Sequence, residues 1–402
     1  MEQKVNMKIA CIGNMNNMMF CLVRYLRERG YEADLFLVEE FDHFLPQADA
    51  YDDEYKKYTK QSDWYWDHWN IKKEKMREDI KGYNFIIAND RVPGYLYKAG
   101  LELDLFLPHG GDLIVLPFQS YKFGMPKKTD VGKIYFTRCQ RLGIVNAKNT
   151  IFDATNDVME GIIDRLKLKG NRFFLLPPML YINQYIEGNL KKSKFYEQFK
   201  DIRSKYNLVI FQHCRQMWTM DPKAVEYKGN EILIKSFTKF LQSKTSEVNP
   251  VLVLFAYGPD LAASEKLVES LNISDRVLWM PLMSRKDLMA GIDMCDLAVG
   301  ELGNSWLTYG SVVEILTMKK PFIGYREDER YLNHYAELYP MASANTVDQV
   351  EAIFHDYMER PEYYKTMGEK GFEWVKKYLV ENSVNKVVEL IEKKKKELSV
   401  LS

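Results

Sequence analysis

Short apolar runs separated by amphipathic helical patterns constrain this chain more than any other feature, and they are clearest in its second half. "LVIFQHCR", "NEILIKSFTKFLQ", "PVLVLFAYG", "SEKLVESLN", "RVLWMP", "RKDLMAGI", "CDLAVGE", "SVVEILTM" and "KPFIGY" follow one another almost without a break. Runs of this length, apolar without strict alternation, suit strands buried on both faces, and such strands belong to a parallel sheet with helices on each side. The amino terminus opens in the same way. "KIACIGN" reads as a strand, "MMFCLVRYLRERG" as a helix closed by Gly30, and "EADLFLVE" as the next strand. The expected class is therefore α/β, with two Rossmann-like, doubly wound domains. At 402 residues the chain is long enough for both. The expected divisions are 1–195, 196–375 and a last segment, 376–402, in which "FEWVKKYLVENSVNKVVELIEKK" has helical spacing.

Open parallel sheets bind ligands at the carboxyl ends of their strands. "YNFIIAND" and "LDLFLPHGGDL" end in polar residues, which puts Gly13, Asn14, Asp90 and His109 on one expected edge. Gly13 permits close approach of the backbone to a ligand, although "GNMNNMMF" is not a GxGxxG loop and a plain tight turn explains it equally well. In the second half, "FQHCRQMW" and "VEYKGNEILIKSF" place Arg215 at a strand end and Lys228 just ahead of a helix. Two cations there suit a diphosphate. Between the early strands, "FDHFLPQADAYDDEYKKYTKQSDWYWDHWN" has no clean period. It reads as an irregular cap or, through Trp64, Trp66 and Trp69, as a sugar-stacking or interfacial element.

Composition bounds the rest. Lys and Arg total 56, as do Asp and Glu, so no global charge draws the chain to nucleic acid. Five scattered cysteines without a CxxC suit reduced thiols. The opening "MEQKVNMKIACIGN" carries no apolar segment of signal length, and no run approaches a membrane span. The expected location is cytoplasmic, with contact at the inner membrane face left open by the basic 393–396 stretch. Six separated histidines and the absence of HExxH or a P-loop argue against a metal centre. Asp52 and Asp53 read as a solvated surface pair.

"YGPDLAASEKLVESLNISDRVLWMPLMSRKDLMAGIDMCDLAV", "VEILTMKKPFIGY" and "YKGNEILIKSF" together resemble the carboxy-terminal domain of GT-B glycosyltransferases, in particular the large retaining nucleotide-sugar group. The likeness spans most of residues 205–325, and "LPHGGD" is a weaker counterpart in the first half. The resemblance implies two domains facing a cleft, with the last helix crossing back to the first. It implies metal-independent transfer of a sugar from a UDP- or GDP-linked donor to a hydroxyl on a glycan or lipid-linked acceptor, in surface glycan or glycolipid assembly and without a cofactor.

Residue by residue, the resemblance implies that Glu314 accepts from the ribose hydroxyls, while Tyr309, Gly310 and Ser311 open a helix whose amides face the diphosphate. Arg215 and Lys228 would neutralise the leaving phosphate, His109 would touch the donor sugar, and Met280 would frame the base through backbone groups. Asp112 would serve as general base if configuration inverts. One departure stands out. The family carries a glutamate eight positions before Glu314, and here that residue is Trp306, with Glu301 nearby but out of register. A nucleotide-sugar epimerase of related fold and a catalytically silent paralogue that binds a glycan or a protein are the alternatives.

Overall fold

The computed structural model describes residues 6–38, 45–67, 70–119, 128–153 and 157–401. The chain divides into two compact units, Met1–Tyr181 with Lys377–Ser402, and Ile182–Lys376. The first division falls ahead of the expected 195/196. Residues after Tyr181 are held by the second unit: Ser193 Oγ and the Lys194 amide both donate to Oδ1 of Asp287, at 2.9 and 3.2 Å.

In the first unit the strands are β1 (Lys8–Ile12), β2 (Glu32–Leu37), β3 (Thr59–Gln61), β4 (Tyr65–Asp67), β5 (Asn70–Ile71), β6 (Phe85–Ala88), β7 (Leu105–Phe106), β8 (Asn149–Phe152) and β9 (Asn171–Phe174). Seven of them form one sheet in the order β3-β2-β1-β6-β7-β8-β9, parallel throughout. Alternation along β1 shows why both faces must be covered. Ile9 and Cys11 enter one core with Phe20 and Leu22, whereas Ala10 and Ile12 enter the other with Phe106 and Phe136.

The aromatic insertion is more ordered than expected. It supplies β3 as an edge strand and the small antiparallel pair β4–β5. Trp64 is fully buried, stacked on Phe36 at 5.4 Å, with its indole N–H donated to Asp79 at 2.7 Å. It is a core residue, and the sugar-stacking reading fails for it. The Trp66 side chain and Trp69 lie outside the described residues. Asp53 pairs with exposed Lys56 at 2.8 Å, and Asp52 accepts from the Glu54 amide, as a solvated turn would.

The second unit holds β10 (Leu208–Phe211), β11 (Pro250–Phe255), β12 (Val277–Met280), β13 (Leu297–Val299), β14 (Phe322–Gly324) and β15 (Ala342–Ser343), parallel in the order β12-β11-β10-β13-β14-β15. A π-helical turn, Lys376–Glu381, leads into the last helix, Asn382–Leu401. That helix is part of the first unit, where Val387, Leu390 and Ile391 join the β1 core. Lys394 is not a free tail residue there, since it pairs with Asp104 at 3.0 Å.

Candidate functional site

Strand order locates the candidate edges. In a doubly wound sheet the connections turn opposite ways at one point, and the crevice outside the strand ends at that point receives ligands. The reversal falls between β1 and β6 in the first unit and between β10 and β13 in the second.

At the second unit's reversal, β10 runs into Gln212, His213, Cys214 and Arg215, while β13 runs into Gly300 and Glu301. Gln212 bridges the two ends, donating to the Gly300 carbonyl at 2.8 Å and accepting from Asn230 at 3.1 Å. Asn230 also accepts from the Met217 amide, and Met217 in turn accepts from the Lys228 amide, so the Lys228 loop is clamped. Lys228 Nζ lies 2.6 Å from Glu301 Oε1, both side chains being largely buried. Lys228 is thus an internally paired cation, which its sequence position does not reveal. Burial lifts the Glu301 carboxyl pKa, against the pull of Lys228 and then of Arg215. The remaining oxygen, Oε2, is buried without a hydrogen-bond partner among the described residues. Arg215 is exposed and has no ion-pair partner among the described residues.

The helix Gly310–Thr317 opens at this edge. Tyr309 stands at its cap position in extended conformation, and its side chain caps none of the opening amides. A Cβ on Gly310 would meet nothing within 4 Å, so the first residue of the helix is not packed against a neighbour on that side. Ser311 Oγ faces Cys214 Sγ at 3.5 Å. The Tyr309 phenol is a strut: its oxygen accepts from the Glu301 amide at 2.7 Å and packs where a Gly300 side chain would stand.

Glu314, in the second turn, is 8% exposed and is hydrogen-bonded to His213 Nε2 at 2.9 Å and to the Arg285 guanidinium Nε at 2.8 Å. Burial pushes its pKa up, but the His213 hydrogen bond and the Arg285 charge overcome this and bring it down to about 2. Met280 closes β12 almost wholly buried, and its carbonyl is already taken by the Ala256 amide at 2.8 Å. That oxygen thus already holds one hydrogen bond within the sheet. Arg285 and His213 are functional candidates that sequence reasoning missed. "FQHCR" shows the histidine, but only the fold brings Arg285 to Glu314.

The first unit's edge is built differently. Gly13 takes φ +86°, and the space a Cβ would occupy is filled by the Asn89 side chain. Its required closeness is thus to Asn89. Asn14 caps the following helix, accepting from the Phe20 amide at 2.9 Å and donating to Asn17 at 2.7 Å. Asn89 is fully buried, and neither amide atom has a partner among the described residues. In "YNFIIAND" this residue stands beside Asp90, and nothing in the local pattern marks its amide as unpartnered.

His109 Nε2 sits 3.8 Å from Asp90 and 3.7 Å from Asp112, close enough for charge and too far for a hydrogen bond. Burial disfavours its imidazolium, but Asp112 and then Asp90 outweigh this and the pKa is raised. Asp112 is 1% exposed and accepts from the amides of Asp90, His109 and Gly110 at 3.0, 3.0 and 3.1 Å. Burial raises its pKa, with His109 pulling the other way. A carboxylate so enclosed organises the edge and is poorly placed as a general base for a substrate. No cluster of three or more His, Cys, Asp or Glu suited to a metal ion occurs among the described residues.

No protein-family model matches the chain. A stretch of 75 residues is 36% identical to an uncharacterized glycosyltransferase, YqgM, of Bacillus subtilis strain 168, covering 19% of this chain and 20% of that protein. Among solved structures, sucrose-phosphate synthase from Thermosynechococcus elongatus superposes with a TM-score of 0.60 at 15% identity, covering 98% of this chain and 100% of that one. Anabaena HepE in complex with UDP-glucose gives 0.59 at 14% identity, with 96% and 100% covered. A proposed UDP-N-acetylglucosamine 2-epimerase from Listeria monocytogenes gives 0.57 at 11% identity, with 98% of each chain covered. No described helix is long and apolar enough to cross a membrane.

Proposed function

We propose that this chain, which has the GT-B fold of those glycosyltransferases, moves a sugar from a nucleoside diphosphate-sugar to a hydroxyl acceptor. One observation carries the reading. At the strand reversal of the second unit an exposed Arg215 without an ion-pair partner among the described residues, the Lys228–Glu301 pair and a helix tip that the Tyr309 side chain does not cap stand together, with ionised Glu314 one turn behind. A helix amino terminus carries about half a positive charge, and its free amides favour phosphate. Arg215 adds a full charge where the departing diphosphate becomes more negative, which is where stabilisation accelerates transfer.

Glu314 can still serve the ribose. Its two oxygens offer about four acceptor positions, and His213 and Arg285 take two of them. With a pKa near 2 it stays an acceptor at neutral pH, suited to a vicinal diol. Arg215, Lys228, Gly310 and Ser311 are accordingly the proposed diphosphate residues, and Glu314 the ribose residue. His109 keeps its proposed role at the donor sugar. UDP- or GDP-linked donors, a metal-independent reaction, retention of configuration, a glycan or lipid-linked acceptor and work at the inner membrane face all belong to this proposal.

Glu301 favours a second reading. A buried carboxyl with a raised pKa and one unpartnered oxygen suits proton transfer, as an epimerase requires. Incubation with UDP-, GDP-, ADP- and CMP-sugars separates the two. Slow release of free sugar from one donor is the result expected of a transferase, and appearance of the C2-inverted nucleotide-sugar would establish the epimerase instead. Binding of UDP without turnover of any donor, with or without simple glycoside acceptors, would point to a silent paralogue, which Trp306 in place of the family glutamate favours.

A further inference from the structure

Exposed apolar side chains gather on one face of the first unit. The helix Lys128–Val145 packs Phe136, Cys139 and Ile144 into the fold, and a side chain on its Gly143 would strike the Pro93 carbonyl of the neighbouring helix, Val92–Ala99. Rotation about the helix axis is therefore blocked, and the opposite face stays outward. That face carries Val131, Ile134, Tyr135 and Arg138, which recur at helical spacing. The three apolar members are 46–58% exposed, and Tyr97 of the neighbouring helix is 41% exposed. Lys98, next to Tyr97, holds its Nζ 5.0 Å from the Tyr135 ring centroid and so ties the two helices into one surface. Single exposed apolar residues are ordinary, whereas several large ones on one face mark an interaction surface.

Charge decides the partner. Residues 113–152 contain seven Lys and Arg and one acid, Asp130, in a chain whose cations and anions total 56 each. Of the seven, Lys148 is taken by Glu102 and Asp104. Lys133, Arg138 and Arg141 on the helix, and Arg165 beside it, have no ion-pair partner among the described residues. Arg141 donates instead to the Pro117 carbonyl at 2.7 Å, and Arg141 and Arg165 lie over the Phe118 ring at 5.5 and 4.4 Å. Asp164, adjacent to Arg165 in sequence, is drawn to Arg172 at 3.4 Å.

Cations interleaved with Val, Ile and Tyr fit a surface that is anionic outside and apolar beneath, which is the order of phospholipid headgroups over acyl chains. A nucleic acid would answer the charge and leave the aliphatic side chains without a partner. Two copies of this face would set cation against cation. We propose that the outward face of the helix Lys128–Val145 docks on an anionic lipid bilayer, with Ile134 and Tyr135 entering the interface and Arg138 meeting phosphate. The inference stands apart from the transfer reaction, and it gives the membrane contact proposed with that reaction a surface other than the basic 393–396 stretch.

The test is co-sedimentation of the full chain, without nucleotide, with vesicles of phosphatidylcholine alone and of equal parts phosphatidylcholine and phosphatidylglycerol. Partition into the anionic vesicles is expected to exceed that into the neutral ones at least about tenfold and to fall with added salt. Arg138→Glu and Ile134→Ser change exposed positions, and each is expected to reduce it by about tenfold or more. The two are independent, so if one does not fold the other decides. Lys393→Glu and Lys396→Glu, in the basic stretch near the end, should leave partition unchanged. Failure to bind anionic vesicles, equal binding to neutral ones, indifference to both face variants, or an equal loss from the 393 and 396 variants would each overturn the proposal. So would a lipid-free dimer, seen by sedimentation velocity, that Ile134→Ser dissociates. Because no nucleotide is present, a negative result leaves the transfer reading as it stands.

Discussion

The two strand-reversal edges occupy equivalent places in similar sheets, yet their charge is arranged in opposite ways. At the second unit's edge three cations, Arg215, Lys228 and Arg285, stand with two carboxylates, Glu301 and Glu314, and a helix tip adds positive potential. At the first unit's edge one imidazole stands between two carboxylates, Asp90 and Asp112. By charge alone, a diphosphate would be favoured at the former and disfavoured at the latter. Equivalent topology thus offers a crevice in each unit, and pairing of side chains decides which chemistry each can host. The first unit keeps a neutral polar feature instead, the buried Asn89 amide beside Gly13.

The sharpest way to break this contrast is to remove the carboxylate that anchors the second edge. Glu314→Ala leaves Arg285 and His213 without their buried partner and is expected to cost about 3–5 kcal/mol of stability, read by urea unfolding. If stability is unchanged, the pairing is not structural. The pH dependence follows from the same group. Its pKa falls from 4.5 unfolded to about 2 folded, so its stabilisation is present above pH 4.5 and lost as pH drops towards 2. Glu314→Gln should flatten that acid limb.

Next comes the anion itself. Arg215→Ala removes an exposed cation with no ion-pair partner among the described residues and should weaken UDP binding by about 1.5–3 kcal/mol, the usual worth of a charged hydrogen bond. His109→Ala, at the first edge, should leave UDP affinity alone and reduce turnover. Calorimetric titration with UDP checks both, and equal losses would erase the distinction between the edges.

A smaller effect tests the first edge directly. The His109 pKa is raised above 6.5 by Asp112 and Asp90, so its stabilising pairing is full below pH 6.5 and lost as pH rises through the folded value. Asp112→Asn should shift the His109 titration, followed by imidazole NMR, to lower pH, whereas Glu314→Gln should not move it. The smallest expected change is Trp64→Phe. It loses one indole hydrogen bond, worth about 0.5–1.5 kcal/mol, without altering any ligand affinity. A loss of sugar binding in that variant would revive the stacking reading.

Much of the architecture was legible because parallel strands covered on both faces leave a dense apolar signature. "KIACI", "LVIF" and "PVLVLF" are each buried end to end or nearly so, the pattern that strands covered on both faces require. β3 and the β4–β5 pair were not legible. Their segment is rich in charge and aromatics, and its order comes from pairing with β2 and from Trp64 packing under Phe36. Candidate residues divide in the same way. Arg215 and Gly310 could be placed at strand and helix ends from local pattern. That Lys228 is already paired with Glu301 and that the Met280 carbonyl accepts from Ala256 are facts about partners distant in the chain.

By itself, then, the chain's order of apolar and polar residues determined two helix-covered parallel sheets and the strand ends at which chemistry gathers. Such information is local and periodic, carried by burial along each element. Tertiary structure alone decided the protonation and availability of the side chains there. Arg285 reaches Glu314 across 29 positions, Glu301 reaches Lys228 across 73, and Asp112 gathers three amides from two loops. Electrostatic interaction depends on distance in space and on burial, and neither is written in the spacing of residues along the chain.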